Sequence, residues 1–173
     1  SRTRAVKYNE QSPVKDIVSS INNLSKIGCT CVMLPCNSAH YFYDTVSKKI
    51  VIPWLNMIEI VSNKISDLNY VRPLILGGFV TTHTKIYSKY LPDSVYLTDT
   101  ENRRIESIIE EVKGTNNISK ISEKSLKRII NNYNDSIDSI LLACTELPIV
   151  IKENSFEGKK VISSIDEYIN YLI

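Results

Sequence analysis

The sequence predicts an α/β fold in which helices flank parallel β-strands. Short apolar runs of strand length alternate along the chain with longer segments whose apolar residues recur at helical spacing. The chain has 173 residues, 43% of them apolar, which is enough for one domain or two very small ones. No linker rich in Gly, Ser or Pro divides it. We place the boundary between two predicted lobes near Arg72 and Pro73.

The first half of the chain predicts two strands and three helices. Ser12 and Pro13 are typical of a helix start and Gly28 of a helix end. The elements expected after that helix are a strand at 29–34, a helix from Asn37 or Ser38, a strand at 50–52 and an amphipathic helix at 56–68. The residues before Ser12 predict a polar loop. Because such lobes usually open with a strand, we expect a first strand to be missing from this chain.

The second half repeats this alternation of strands and helices. The expected strands lie at 73–76, 95–97, 140–143 and 161–162. The expected helices lie at 82–90, 105–112, 121–133 and 165–172. The first of these strands runs into Gly77 and Gly78, and Gly114 ends the second helix. Strands separated by helices predict a parallel sheet.

Charge and composition favour a small-molecule substrate. The chain has 21 Lys and Arg against 19 Asp and Glu, a net charge of +2, without a basic block that would indicate nucleic-acid binding or attachment to a membrane surface. No apolar run approaches the roughly 20 residues of a membrane span, and residues 1–4 are not followed by the apolar core of a signal peptide. Three of the four cysteines fall within eight residues. We expect free thiols in a reducing, cytoplasmic environment.

Two predicted strand-to-helix turns carry a cysteine each, Cys36 and Cys144. In both, an apolar strand is followed by a proline or small residue, the cysteine, and polar residues that can begin a helix. The carboxyl ends of parallel strands form the edge at which open α/β sheets bind ligands. The N–H groups at a helix start favour an anion. We therefore expect each thiol to have a lowered pKa, and the same groups to be able to hold a substrate carboxylate.

Two such turns facing each other across a cleft would place one sulfur on each face of a bound amino acid. A thiolate on one face would remove the α-proton and a thiol on the other would return one, which is racemisation by general acid–base catalysis. The alternative is that each cysteine is only a small core residue, and we prefer that interpretation for Cys29 and Cys31, which share one face of a predicted strand. A metal site of Cys29, Cys31, Cys36 and His40 is disfavoured because their spacing fits no common zinc motif.

The two cysteine turns resemble the motifs of the aspartate/glutamate racemase superfamily. The first motif runs from Pro35 to His40, with serine where threonine is commoner, and the second from Ala143 to Pro148, with alanine in place of the usual glycine. His40 at the end of the first motif and Glu146 after the second Cys-Thr pair are similar to the aspartate racemase branch. The chain departs from the family at Gly78 and Val80, which replace threonine and glycine. Further departures lie near the C-terminus, at Ser163 and Tyr168, where an acidic residue and a histidine are usual.

The resemblance implies two α/β lobes with parallel sheets flanked by helices, related by pseudo-twofold symmetry, and an active site in the cleft between them. Residues 1–71, incomplete at the N-terminus, would form the first lobe together with residues 160–173. Residues 72–159 would form the second lobe. The resemblance also implies an enzyme that needs no cofactor and no metal, and that forms a homodimer.

The resemblance further assigns roles to individual residues. Cys36 and Cys144 would exchange the roles of proton donor and acceptor. The residues implied for substrate binding are Asn37, Ser38, Thr81 and Thr145 at the α-carboxylate or α-ammonium group, Arg2 and Lys113 at the distal carboxylate, and Glu146. Arg2 could instead be a solvated terminal arginine, and Lys113 an ordinary last-turn lysine favoured by the helix dipole.

The function expected on this basis is interconversion of L- and D-aspartate. A glutamate or broad-specificity racemase, and another isomerase or a decarboxylase on the same fold, are alternatives within the enzyme class. A non-catalytic binder of acidic amino acids is the alternative outside it, favoured by the expected loss of the first strand.

Overall fold

A computed structural model describes residues 2–172 of the chain. Its α-helices are α1 (Arg2–Lys7), α2 (Val14–Lys26), α3 (Tyr43–Val46), α4 (Met57–Asp67), α5 (Phe79–His83), α6 (Asp99–Thr115), α7 (Lys120–Asn131), α8 (Leu147–Val150) and α9 (Ser164–Asn170). Its strands are β1 (Pro73–Gly77), β2 (Val95–Tyr96), β3 (Ser139–Ala143), β4 (Ser155–Phe156) and β5 (Lys159–Ser163). Short 3₁₀ helices span Asn37–Phe42, Ser47–Lys49 and Asn134–Ser136. None of the helices in residues 2–172 combines the length and apolar character needed to cross a bilayer.

The five strands form one sheet in the order β2-β1-β3-β5-β4. All neighbouring strands are parallel except β4 and β5. The two central strands, β1 and β3, are buried at every position, as expected for a parallel sheet covered on both faces. The predicted fold class, an α/β protein whose mostly parallel sheet is flanked by helices, is confirmed.

Alternate residues of the central strands supply two different hydrophobic cores, as the two-residue period of a strand requires. Leu74, Leu76, Ile140 and Leu142 pack with the apolar residues of α6 and α7. On the opposite face, Ile75 and Leu141 pack with those of α4 and with Tyr168 of α9. Because both faces are covered, the ligand-accessible part of the sheet is its edge.

The two strands expected at 29–34 and 50–52 are wrong. This part of the chain forms a single parallel bridge between Val32 and Trp54, in which the Val32 N–H donates to the Pro53 carbonyl and the Leu55 N–H to the Val32 carbonyl, each over 2.9 Å. The next bond of such a ladder would join the Leu34 N–H to the Leu55 carbonyl. The hydroxyl of Tyr168 occupies that position, so the ladder stops after one residue.

The expectation that Cys29 and Cys31 are core residues is also wrong. Cys31 is exposed and Cys29 is only partly buried. With a single bridge in place of a strand pair, this segment presents no alternating buried face.

Two further expectations about local structure fail. The polar start of the chain forms α1 rather than a loop, and the helix expected at 82–90 is the shorter and earlier α5. Just after α5, Lys85 adopts a left-handed backbone conformation with φ of 49°, which an α-helix cannot contain. The short elements β4 and α8 were not expected.

The division into two lobes stays a prediction, and its outermost residues, 1 and 173, lie outside the described part of the chain. Within that part, β5 pairs with β3 in the single five-stranded sheet, while the following helix α9 packs against α4. The C-terminal segment therefore contacts elements of both predicted lobes.

Candidate active site

A cavity of about 560 Å³ opens at the carboxyl edge of the sheet. Gly77 at the end of β1 pairs with Ala143 at the end of β3, and the residues that follow them, Gly78 and Cys144, line the cavity. All nine site residues expected from the sequence line it: Arg2, Cys36, Asn37, Ser38, Thr81, Lys113, Cys144, Thr145 and Glu146. Both cysteine turns thus border one space, although their roles there stay predictions.

Close packing of the two strand ends requires glycine at position 77. A Cβ atom placed there would lie 3.0 Å from the carbonyl oxygen of Ala143 and 3.1 Å from Cγ2 of Thr81. Thr81 lies on α5 and is 1% exposed. Gly77 therefore lets Thr81 and the Cys144 turn approach each other at the wall of the cavity.

The thiol of Cys144 donates a hydrogen bond of 2.8 Å to Oε2 of Glu146. The same carboxylate oxygen accepts a bond of 3.1 Å from the Thr145 hydroxyl, and Oε1 lies 3.9 Å from Nζ of Lys113 at the end of α6. Four of the expected residues thus form one hydrogen-bonded and charged group.

The expectation of a lowered thiol pKa is wrong for Cys144. Burial, together with the hydrogen bond to Glu146, raises the pKa of this thiol to about 12. The helix after Cys144 begins only at Leu147 and has four residues, so it offers little of the positive field on which the expectation rested. Cys144 is therefore held as a neutral thiol beside a hydrogen-bond acceptor.

The Glu146 carboxyl group is ionised in this arrangement. Burial opposes its ionisation, but the hydrogen bond from Cys144, the charge of Lys113 and the hydrogen bond from Thr145 outweigh burial, so its pKa is lowered. The ionised carboxylate orients the S–H bond of Cys144 and is the acceptor that this thiol contacts.

Cys36 occupies the N-cap position of the 3₁₀ helix Asn37–Phe42, in an extended conformation. Its sulfur lies 3.6 Å from the hydroxyl oxygen of Ser38, and its backbone N–H donates to the Leu34 carbonyl over 2.7 Å. The side chain is partly buried and lines the cavity.

His40 joins the Cys36 turn to the start of α4. Its Nδ1 lies 2.9 Å from the Cys36 carbonyl, and its Nε2 lies 3.1 Å from the backbone N–H of Met57 at the start of α4. Because Nε2 accepts from that N–H, the ring proton is on Nδ1, which donates to Cys36. Burial lowers the pKa of His40 to about 4, so the ring is neutral and joins two backbone segments.

Asn37 is 3% exposed and takes part in a buried hydrogen-bond network. Its amide oxygen accepts from the Tyr87 hydroxyl, and its amide nitrogen donates to Ser164, which in turn donates to the Leu142 carbonyl of β3. The network ties the Cys36 turn to the end of the sheet. One amide hydrogen of Asn37 is left for a ligand.

A cationic wall of the cavity was only partly predicted. Besides Arg2 and Lys113, it contains Lys7 and Arg103. Nζ of Lys7 lies 3.7 Å from Glu106 and 4.8 Å from the centre of the Phe79 ring. The α6 residues that line the cavity include Arg103, Glu106, Glu110 and Lys113. Their spacing of three or four residues places them on one helix face, so extending the pattern back from Lys113 could have found them.

Across residues 2–172, no three His, Cys, Asp or Glu side chains are grouped closely enough to share a metal ion. His40, which the sequence offered as a possible ligand, uses both ring nitrogens in backbone contacts.

Several known proteins are similar to this chain. The broad specificity amino-acid racemase RacX of Bacillus subtilis is 25% identical over 153 residues, which are 86% of this chain and 65% of that protein. Glutamate racemase 3 of Caldanaerobacter subterraneus is 26% identical over 168 residues, 92% of this chain and 60% of that protein. The chain therefore spans a little under two thirds of the length of these curated relatives.

The likeness extends to solved structures and to a sequence family. The aspartate racemase of Picrophilus torridus superposes with a TM-score of 0.80 at 28% identity, covering 96% of this chain and 70% of that one. The Asp/Glu/Hydantoin racemase family matches residues 2–172. The chain belongs to the Asp/Glu/hydantoin racemase family.

Proposed function

We propose that this protein is a cofactor-independent amino-acid racemase that acts on acidic amino acids, with aspartate as the first candidate substrate. The observation that carries the proposal is that Cys36 and Cys144 border one cavity, which is also lined by four cationic and three acidic side chains. The aspartate racemase of Picrophilus torridus, at 28% identity, supports the choice of substrate.

Proton transfer would begin at Cys144 when the enantiomer whose α-hydrogen faces that sulfur is bound. The Glu146 carboxylate accepts the thiol proton as the Cys144 sulfur removes the α-proton, and the electron pair of the broken C–H bond is left on the α-carbon and adjoining carboxylate. The Cys36 thiol then protonates the opposite face. A proton then passes from Glu146 to the Cys36 thiolate and restores the starting state. The two thiols and the carboxylate hold two protons before and after the reaction, and a third while the substrate is a carbanion. The contacts of Glu146 favour this role over the substrate-binding role expected from the sequence.

Substrate would be held by charge and by hydrogen bonds. Arg2 and Lys113 lie on the cationic wall and suit the distal carboxylate of an acidic substrate. Asn37, Ser38, Thr81 and Thr145 would hold the α-carboxylate or α-ammonium group. A positive field at the α-carboxylate stabilises the negative charge that develops when the α-proton leaves.

A racemase with a broader or different preference is the second candidate. It is favoured by the similarity to RacX and to glutamate racemase 3, both at about the same identity as the aspartate racemase. A non-catalytic binder of acidic amino acids is the third.

Incubation with single amino acids in deuterium oxide separates these candidates. We expect L-aspartate to yield D-aspartate that carries deuterium at the α-carbon. Proton NMR measures the loss of the α-proton, and chiral chromatography measures the D-isomer. L-Glutamate and neutral amino acids tested in parallel define the range. The double variant Cys36→Ser, Cys144→Ser is the control and should exchange no α-proton.

Each other outcome identifies a different function. Exchange without inversion would leave only one working base, whereas measurable aspartate binding without exchange would make the protein a binder. If glutamate or a neutral amino acid is turned over faster, that amino acid replaces aspartate as the proposed substrate.

The same mechanism bears on compartment and assembly. Both sulfurs must be reduced to transfer protons, which favours a reducing compartment such as the cytoplasm. We also propose a homodimer, on the basis of the family resemblance. Sedimentation velocity over a wide range of protein concentrations tests this assembly.

A further inference from the structure

The gap in the Val32–Trp54 ladder is filled by a tyrosine hydroxyl. The Tyr168 hydroxyl accepts from the Leu34 N–H over 3.3 Å and donates to the Leu55 carbonyl over 2.6 Å. Without it, the regular geometry of a parallel pair would join these two backbone groups directly. The hydroxyl thus holds the two segments farther apart than a strand pair.

The surroundings of the Tyr168 side chain hold its hydroxyl in this position. Tyr168 is fully buried, and its ring meets that of His40 edge-on at 6.1 Å between centroids. Burial raises its pKa to about 12, so the hydroxyl keeps its proton at neutral pH and can donate to Leu55 while it accepts from Leu34.

Leu34 connects Tyr168 to the Cys36 turn through its backbone N–H and carbonyl groups. Its N–H is held by Tyr168, and its carbonyl accepts the N–H of Cys36 over 2.7 Å. Cys36 is therefore two hydrogen bonds from a side chain that lies on the last helix of the chain. On the other side, the Cys36 carbonyl is fixed by His40.

We infer that Tyr168 is a positioning residue for Cys36, which sets the place of its sulfur through the backbone of Leu34. The hydroxyl acts as a spacer, because removing it leaves the two segments free to close by direct pairing or to admit water. Either change moves the residues just before Cys36. The inference about turnover rests on the proposed racemase function, whereas the inference about the position of Cys36 does not.

The test compares two Tyr→Phe variants with closely matched hydrogen bonds. Tyr133 also accepts from a backbone N–H, that of Thr98, over 3.3 Å and donates over 2.6 Å, to Glu101, but it does not line the cavity. Both variants are made with Cys29→Ser and Cys31→Ser, so that the tryptic peptide of Cys36, like that of Cys144, contains a single cysteine. Alkylation by iodoacetamide is then followed at each one by mass spectrometry.

Tyr168→Phe should change the alkylation rate of Cys36 by about tenfold and leave that of Cys144 within about twofold, because this rate depends on the exposure and surroundings of the sulfur, which change when its turn moves. Tyr133→Phe should change neither. Equal effects of Tyr168→Phe on both cysteines, or no effect on Cys36, would overturn the inference.

Turnover provides a second measurement. A positioning role predicts that Tyr168→Phe lowers kcat about tenfold while KM stays within about twofold, and that Tyr133→Phe retains both. If wild type does not racemise any amino acid, the proposed function fails but the alkylation result still decides the inference.

Amide hydrogen exchange of the wild-type protein tests the contact even if Tyr168→Phe does not fold. The Leu34 amide should be protected as well as that of Val32, which has a backbone partner. Free exchange at Leu34 in wild type would show that the hydroxyl does not hold it, and the inference would be wrong.

Discussion

The two cysteine turns have similar sequences but hold their sulfurs in different ways. The Cys36 turn is fixed through its backbone, by Leu34 on one side and His40 on the other, and its sulfur lies 3.6 Å from the hydroxyl oxygen of Ser38. The Cys144 turn follows a buried central strand, and its sulfur donates directly to a carboxylate, that of Glu146.

The difference comes from the residue two positions after each cysteine. Serine at 38 offers no group that is ionised near neutral pH, whereas glutamate at 146 offers a negative charge that can take up a proton. In the proposed racemase, two turns that are symmetric in pattern would therefore form an unequal acid–base pair. Changes to either side should show which properties the turns share and which they do not.

The largest effect should come from the shared property. Cys36→Ser and Cys144→Ser should each lower the racemisation rate about 10³-fold or more, since a hydroxyl is a far weaker acid than a thiol and is hardly ionised near neutral pH. Chiral analysis of the product measures this. Circular dichroism should show the fold retained, and Cys31→Ser, at an exposed position, should keep full activity. Activity within tenfold of wild type in either catalytic variant would contradict the two-base mechanism.

The next effect should distinguish the turns. Glu146→Gln should lower kcat about 10²-fold because the thiol loses its proton acceptor. At the same time, the pKa of Cys144 should fall from about 12, since the negative charge and hydrogen bond of Glu146 no longer stabilise the neutral thiol. Thiolate absorbance measured in a variant that retains only Cys144 follows this pKa.

A lower pKa of the Cys144 thiol together with a lower kcat in Glu146→Gln would show that Glu146 acts as a proton acceptor and does not only adjust the pKa of the thiol. Ser38→Ala, the equivalent change in the other turn, should reduce kcat much less. A rise in KM at constant kcat in Glu146→Gln would instead support the substrate-binding role expected from the sequence.

Acid should affect the Cys36 turn through His40. This ring has a pKa of about 4 in the folded chain against about 6.5 when unfolded, so between these values the unfolded state binds more protons. The stability that neutral His40 provides is complete above pH 6.5 and is lost as the pH falls towards 4. Between pH 7.5 and 4.5, His40 should therefore reduce the free energy of unfolding by roughly 2–3 kcal/mol.

Urea denaturation at the two pH values measures this loss. His40→Gln should reduce the difference between them by about that amount, whereas His83→Gln, at an exposed histidine, should retain it. An unchanged difference in His40→Gln would mean that the ring is not held neutral.

The sequence predicted the parts of the fold whose causes are local. The apolar runs that became β1 and β3, and the amphipathic helices that became α4, α6 and α7, depend on the periods of their own residues. Residues 29–34 also form an apolar run of strand length, but Tyr168, far along the chain, occupies the next position of their ladder. A contact at that separation in sequence leaves no periodic signal.

The candidate site likewise has a part that the sequence predicts and a part that depends on the folded chain. Because parallel strands end at one edge, the pattern was enough to bring the two cysteine turns to one cavity, whereas the other expected residues that line it came from the family resemblance. The protonation of Cys144 was not predictable in this way, since it depends on how deeply the thiol is buried and on the orientation of the neighbouring carboxylate. Burial and orientation are properties of the folded chain.

The smallest effect should come from Lys113, whose side chain is half exposed and lies 3.9 Å from Glu146. An exposed ion pair contributes about 0.2–1 kcal/mol, so Lys113→Met should raise KM for aspartate by at most about fivefold if the lysine binds the distal carboxylate. Lys127→Met, which removes a lysine of similar exposure that is paired with Glu123 outside the cavity, should leave KM unchanged. Steady-state kinetics over a range of salt concentrations measure both, and the difference should shrink as salt screens the charges. A fall in kcat at constant KM would instead indicate that Lys113 acts on the Cys144 turn, by keeping Glu146 ionised.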